Sequence, residues 1–286
     1  MTDPVSALSA VTGVAKAIDP DGKTADLSTS LWGDVLGPPA KALGRHFERQ
    51  VERWSESAEA KRVLKLAAQK SDTSAPGSVP PRVAAAVLEA AQYSDDEFVA
   101  EYLSGVLASS RTPDGKDDRG VAWSALVGRL SSDALKLHYA LYSFLRGKMR
   151  GQDADVVSEW CRRHIVMRYM DLLPALGLSV SDEGAQRTLD AAYALQREGL
   201  IEKLTHGTAD HLTGHPYGQY ALPEAHGMLI VTTSIQGIQL FLQGHGYGGV
   251  WASAIAEPDR SFEAVGDVDE RLGQVEGMFL EELPRR

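Results

Sequence analysis

A mainly α-helical fold, ending in a winged-helix-like unit with one two-stranded hairpin, is predicted by three features of the chain. Apolar residues recur at helical spacing through most of the sequence, and helix-starting signals stand in front of the stripes. Only two short runs, LIEKL at 200–204 and MLIVTT at 228–233, have the length and composition of strands.

In order, residues 5–18 form a short, weakly apolar helix ended by the turn DPDGK at 19–23. A long helix is predicted from Pro38 to Lys70, and SDTSAPGSVPP at 71–81 reads as a linker. Pro80 and Pro81 then open a helix striped by Val83, Val87, Leu88 and Ala91, since the first helical turn needs no N–H at that point. Ser94 and Glu97 have capping-box spacing in front of Phe98, Val99, Tyr102, Leu103, Val106 and Leu107. After a polar loop at 111–120 comes a helix with Val121, Trp123, Leu126, Val127 and Leu130. Ser131 to Asp133 cap the next, whose Leu137, Tyr139, Leu141, Tyr142, Phe144 and Leu145 cover much of its circumference and predict burial.

A single helix is expected over 153–173, with Cys161 and His164 on its apolar stripe, closed by Pro174 and Gly177. The helix at 181–198 stops at Gly199 and leads into the first strand; the second strand runs straight into TSIQGIQLFLQ. Helix, strand, long loop and strand give the outline of a winged helix, with 181–198 in the place of the recognition helix. Further helices are expected at 262–272 and 274–282. The resulting division is 1–75, an N-terminal helical region and linker; 76–131, a helical core; 132–249, the winged-helix-like domain; and 250–286, an acidic tail.

The block from Pro80 to Leu145, with its two abutting helices, LASS terminus and LVGRLSSDALKLHYAL, resembles the abortive-infection alpha family of bacterial and prophage proteins. ALQREGLIEKL and LIVTTSIQGIQLF resemble that family's closing pattern. The resemblance covers about half the chain and implies phage defence. Its motifs are caps and core positions, so it supplies no catalytic residues. The long histidine-bearing loop and the tail after Gly249 depart from the pattern.

Composition narrows the remaining choices. A net charge of −10 works against general nucleic-acid binding, which rests on phosphate neutralisation. Charge is nonetheless unevenly placed: residues 38–70 hold eight Lys or Arg against four Glu, and 257–286 hold nine acids against four bases. Arg45, Arg49 and Arg53 are therefore the candidate partner-binding residues, facing a protein partner of unspecified identity, with self-association left open. A lone Cys161, no basic leader and no apolar run near the roughly 20 residues of a membrane span lead to the expectation of a cytoplasmic protein.

Candidate chemistry is sparse. His206, His211, His215 and His226, with Asp210, have ligand residue types but no standard zinc spacing, so no metal and no cofactor are expected. Cys161 lies beside Arg162, Arg163 and His164, a setting that lowers a thiol pKa, yet its stripe position predicts a buried structural thiol. GHGYGG at 244–249 follows a helix and reads as a cap and turn rather than a phosphate cradle. No hydrolase, metalloprotease or nucleotide-loop motif appears, and no catalytic residue is assigned. For nucleic acid the candidates are Arg187, Arg197, Lys203, His206 and His211. They are outweighed on 181–198 by Asp182, Glu183, Asp190 and Glu198. A defence protein acting by protein or surface contact is the first expectation, and a winged-helix DNA-binding regulator the alternative.

Overall fold

The computed structural model describes residues 53–54, 56–71, 76–153, 157–214, 216–223, 227–264, 266 and 270–286. The predicted helix at 5–18 and most of the one at 38–70 lie outside them.

Helix α1 spans Ala58–Lys70. The expected continuous helix is interrupted at Ser57, whose extended backbone and side-chain oxygen cap α1 by accepting from the Ala60 amide at 3.1 Å. Helix α2, Pro81–Ala91, begins at the proline pair as expected. Helix α3, Glu97–Ser109, is capped two residues later than Ser94: the Asp96 carboxylate accepts from the Phe98 and Val99 amides at 2.8 and 3.2 Å. A carboxylate at the positive end of the helix satisfies two amides and the dipole together, which a serine two positions earlier cannot reach. Helices α4, Gly120–Val127, and α5, Ser132–Met149, follow, with Ser131 capping α5 as its sequence indicates.

The helix expected over 153–173 is three elements: α6, Val157–Arg162; β1, His164–Arg168; and α7, Tyr169–Ala175. Ile165, Val166 and Met167 are consecutive and all fully buried. A helix cannot turn three successive side chains onto one stripe, whereas a strand covered on both faces buries them all. Next come α8, Asp182–Arg197; β2, Ile201–Gly207; α9, Ala209–Leu212; β3, Met228–Thr233; and α10, Ile235–Gly244. The last strand is β4, Met278–Phe279.

The architecture is thus mainly helical with a small antiparallel sheet of four strands, ordered β2-β3-β1-β4, in place of one hairpin. His164 stands opposite Thr232, His206 opposite Leu229, and Ile165 opposite Phe279. Strand β3 is paired on both edges, and all six of its residues are buried. The helices expected at 262–272 and 274–282 are replaced by 3-10 turns at Glu270–Gln274 and Leu280–Glu282 with β4 between them. What composition marks as an acidic tail is packed: Ala252, Ile255, Leu272 and Phe279 are buried, and Phe279 lies 5.4 Å from Phe144 and 5.5 Å from Trp160, ring centre to ring centre. Its apolar residues are too sparse for a helical stripe but suffice to anchor short turns.

One hydrophobic core runs from Trp54 to Phe279, and a second, smaller one of Val166, Ala209, Leu212, Leu222, Met228, Ile230 and Leu280 lies under the hairpin loop. Where α1, α3 and α5 meet α10, the core contains a polar seam. The Lys70 ammonium donates to the Glu101 carboxylate at 2.7 Å, the Glu101 carbonyl at 2.6 Å and the Gly244 carbonyl at 2.8 Å, which uses all three of its protons. The second Glu101 oxygen accepts from the Gly266 amide at 3.0 Å. Burial pulls the Lys70 pKa down, and the Glu101 charge works against that.

Beside this pair, His138 sits 2.6 Å from the Tyr102 hydroxyl through Nδ1 and 3.0 Å from the Gly237 carbonyl through Nε2. A carbonyl can only accept, so Nε2 carries the proton and Nδ1 accepts from Tyr102. Tyr142 donates to the Leu200 carbonyl at 2.5 Å and accepts from the Ser234 amide at 3.0 Å, tying α5 to the turns that flank β2 and β3. Helices α3 and α10 cross so closely that a β-carbon on Gly105 would overlap the Gly244 carbonyl.

Candidate functional site

Helix α8 is the element that the sequence places at the working surface. Ser181 caps it by accepting from the Gly184 amide at 3.2 Å, and Thr188, Ala191, Ala192 and Leu195 are buried. Small buried residues let α8 pack close to α5 and β2. The opposite side exposes Glu183, Gln186, Asp190, Tyr193 and Arg197, a stripe at spacings of three and four. Gln186 donates to Asp190 at 2.9 Å along this stripe.

The two arginines of α8 face acids of the same chain. Arg187 is paired with Asp133 of α5 at 2.7 Å. Arg197 lies 3.8 Å from Glu198, which also receives Arg129 at 2.9 Å and whose carboxyl is held below its ordinary pKa by that hydrogen bond. On β2, Lys203 is exposed next to exposed Glu202. Tyr193, Met170 and Val180 are 49%, 43% and 48% exposed on α8, on α7 and in the segment between them. A helix approaching phosphates would need a run of cations along its outer stripe; α8 instead presents Glu183, Asp190 and Tyr193, with Arg197 alone at its C-terminal end.

The loop between β2 and β3 is a packed cover rather than a bare wing. Gly207 and Gly227 bracket it at φ +141° and +125°. Thr208 caps α9, and Leu212 and Leu222 are buried beneath the sheet. The C-terminal residues clip it in place: the Ala221 amide donates to the Pro284 carbonyl at 2.8 Å, and the Arg286 amide to the Gln219 carbonyl at 2.9 Å. His206 is half-buried in β2, while His211 lies against the bracket glycine Gly207. Among the described residues no three His, Cys, Asp or Glu are grouped as a metal site would require, and His215 and His226 lie outside those residues.

Cys161 and His164 do not share a stripe, because the chain changes from helix to strand between them. Cys161 is buried, and burial pushes its thiol pKa up. The His164 ring is bonded to Glu281 at 3.0 Å. Arg53 is exposed beside buried Trp54, and Arg45 and Arg49 lie outside the described residues. The GHGYGG segment forms a cap and turn, with His245 as the C-cap of α10 and Gly246 and Gly249 at φ +85° and +72°. Among the described residues no helix is long and apolar enough to cross a membrane.

Sequence reasoning passed over a cavity of about 960 Å³ between α5 and residues 258–264 and 270–274. Tyr139, Arg146, Arg150, Phe241, Arg260 and Phe262 contribute to its wall. The available signal was Arg146, a charged residue at helical spacing from Tyr142 and Met149 on the buried side of α5. No protein-family model, curated protein or solved structure matches the chain.

Proposed function

We propose that this protein is a phage-defence factor of the abortive-infection type that works by protein contact, with its C-terminal unit a winged helix whose α8 face meets the partner. The defence setting rests on the resemblance of Pro80–Leu145 and of the two later motifs. The winged-helix reading is supported by the succession α6, β1, α7, α8, β2, β3, with β3 between β1 and β2 in the sheet. The observation that carries protein over DNA contact is the outer stripe of α8: Glu183, Asp190 and Tyr193 point outward with Arg197, while Arg187 is held by Asp133 of the same chain.

Two measurements test this reading. Phage plating on cells expressing the wild type is expected to fall, and Tyr193→Ala together with Asp190→Lys to restore it while the variant remains folded. Titration of labelled duplex DNA at low salt is expected to show no salt-dependent binding. Plating that the wild type leaves unchanged counts against the defence role. Tight, salt-sensitive DNA binding that Arg187→Gln weakens would establish the alternative, a DNA-binding regulator.

A further inference from the structure

Three arginines line the α5 cavity, and among the described residues two of them, Arg146 and Arg150, form no ion pair. Arg146 is only 7% exposed. Its Nη2 donates to the carbonyls of Glu257 at 2.6 Å and Arg260 at 3.2 Å, and its guanidinium lies 4.9 Å from the centre of the Phe262 ring. Among the described residues its buried Nη1 has no acceptor. Arg150, one turn along α5 and exposed, donates through Nε to the Pro258 carbonyl at 3.2 Å. Among the described residues neither Arg146 nor Arg150 has a carboxylate within ion-pair distance. Arg260, across the cavity wall, is paired with Glu257 at 2.7 Å and stacked 4.3 Å from the Tyr247 ring.

This arrangement runs against the rest of the molecule. In a chain with a net charge of −10, most surface arginines find acids, yet Arg146 and Arg150 line an open volume with no ion-pair partner among the described residues. Burial, then the neighbouring charges of Arg150 and Arg260, disfavour the Arg146 cation, and the Glu257 charge offsets this only in part. The acids that line the cavity, Asp259, Glu263 and Glu270, are exposed and stand apart from the Arg146 guanidinium in the ion-pair pattern. A buried donor without an acceptor calls for a bound group, and guanidinium forks match tetrahedral oxyanions. The volume is of the size that encloses a nucleotide-sized ligand. We infer that the cavity between α5 and residues 258–264 and 270–274 is a binding site for a phosphorylated small molecule, with Arg146 and Arg150 holding the phosphate and Arg260 closing the opposite side.

This inference is independent of the α8 reading. The test is isothermal titration of the full chain with inorganic pyrophosphate, AMP and citrate at two salt concentrations. Saturable binding of pyrophosphate or AMP is expected, weakened by salt. Arg150→Gln, at an exposed position, is expected to weaken it at least about tenfold. Arg187→Gln, at the opposite end of α5 where it pairs with Asp133, is expected to leave it unchanged. Arg146→Gln is expected to abolish it; should that variant fail to fold, Arg150→Gln alone decides. AMP binding more tightly than pyrophosphate supports a nucleotide occupant, and equal binding supports recognition of the phosphate alone. Three results would overturn the inference: no saturable binding of either phosphate probe, equal binding by wild type and Arg150→Gln, or citrate binding as tightly as pyrophosphate.

Discussion

The seam between α3, α5 and α10 and the outer face of α8 are both rich in polar side chains, and they use them in opposite ways. In the seam, Lys70, Glu101, Tyr102, His138 and Tyr142 are buried, and each has partners at hydrogen-bond distance. On α8 the pairs are at the surface, and Arg187 keeps half its side chain in water. Polarity inside fixes which helix meets which, because a mismatched partner would leave a buried donor or charge unsatisfied. Polarity outside sets what the surface can approach. The same residue types therefore specify architecture in one place and recognition in the other.

That contrast can be broken at several strengths. The largest effect comes from acid. Burial lowers the pKa of His138 to about 3 and of His245 to about 4, against an ordinary value of 6.5 in the unfolded chain. Below pH 6.5 the unfolded state binds protons that the native state refuses, so stability falls as pH drops from 6.5 toward 4 and levels off only beneath the native values. A loss on the order of 5 kcal/mol between pH 7 and pH 4 is expected, read from urea midpoints across that window. A flat profile would mean that the two rings are solvated.

Next in size is Lys70→Met, which leaves the Glu101 charge buried without its ammonium and is expected to cost about 3–5 kcal/mol. Adding Glu101→Leu should return much of that loss, and a double-mutant cycle on denaturation free energies measures the coupling. Tyr142→Phe removes a donor to the Leu200 carbonyl and an acceptor for the Ser234 amide, for about 1–3 kcal/mol by the same measurement. The smallest effect belongs to the outer face: Arg187→Ala is expected to shift stability by less than about 1 kcal/mol. If Arg187→Ala costs as much as Tyr142→Phe, the distinction between the two regions fails.

The helices were legible where a cap and a stripe agreed, as at Ser131 before α5. Strand β1 was hidden because HIVMR is a short apolar run that fits a buried strand or a helical turn equally well until its partners are known. Strand β4 is two residues long, so its identity comes wholly from pairing with β1. The acidic balance of α8 was readable as composition, but the pairing of Arg187 with Asp133 joins residues 54 apart in the chain. The α5 cavity was illegible for the same reason: Arg146 and Arg260 meet only because the C-terminal segment folds back.

The crossing of α3 over α10 at Gly105 and Gly244 puts main chain against main chain, with no layer of side chains between them to repack. Any residue larger than glycine at 105 would therefore have to wedge the two helices apart, so the spacing of this joint is set by the absence of a side chain.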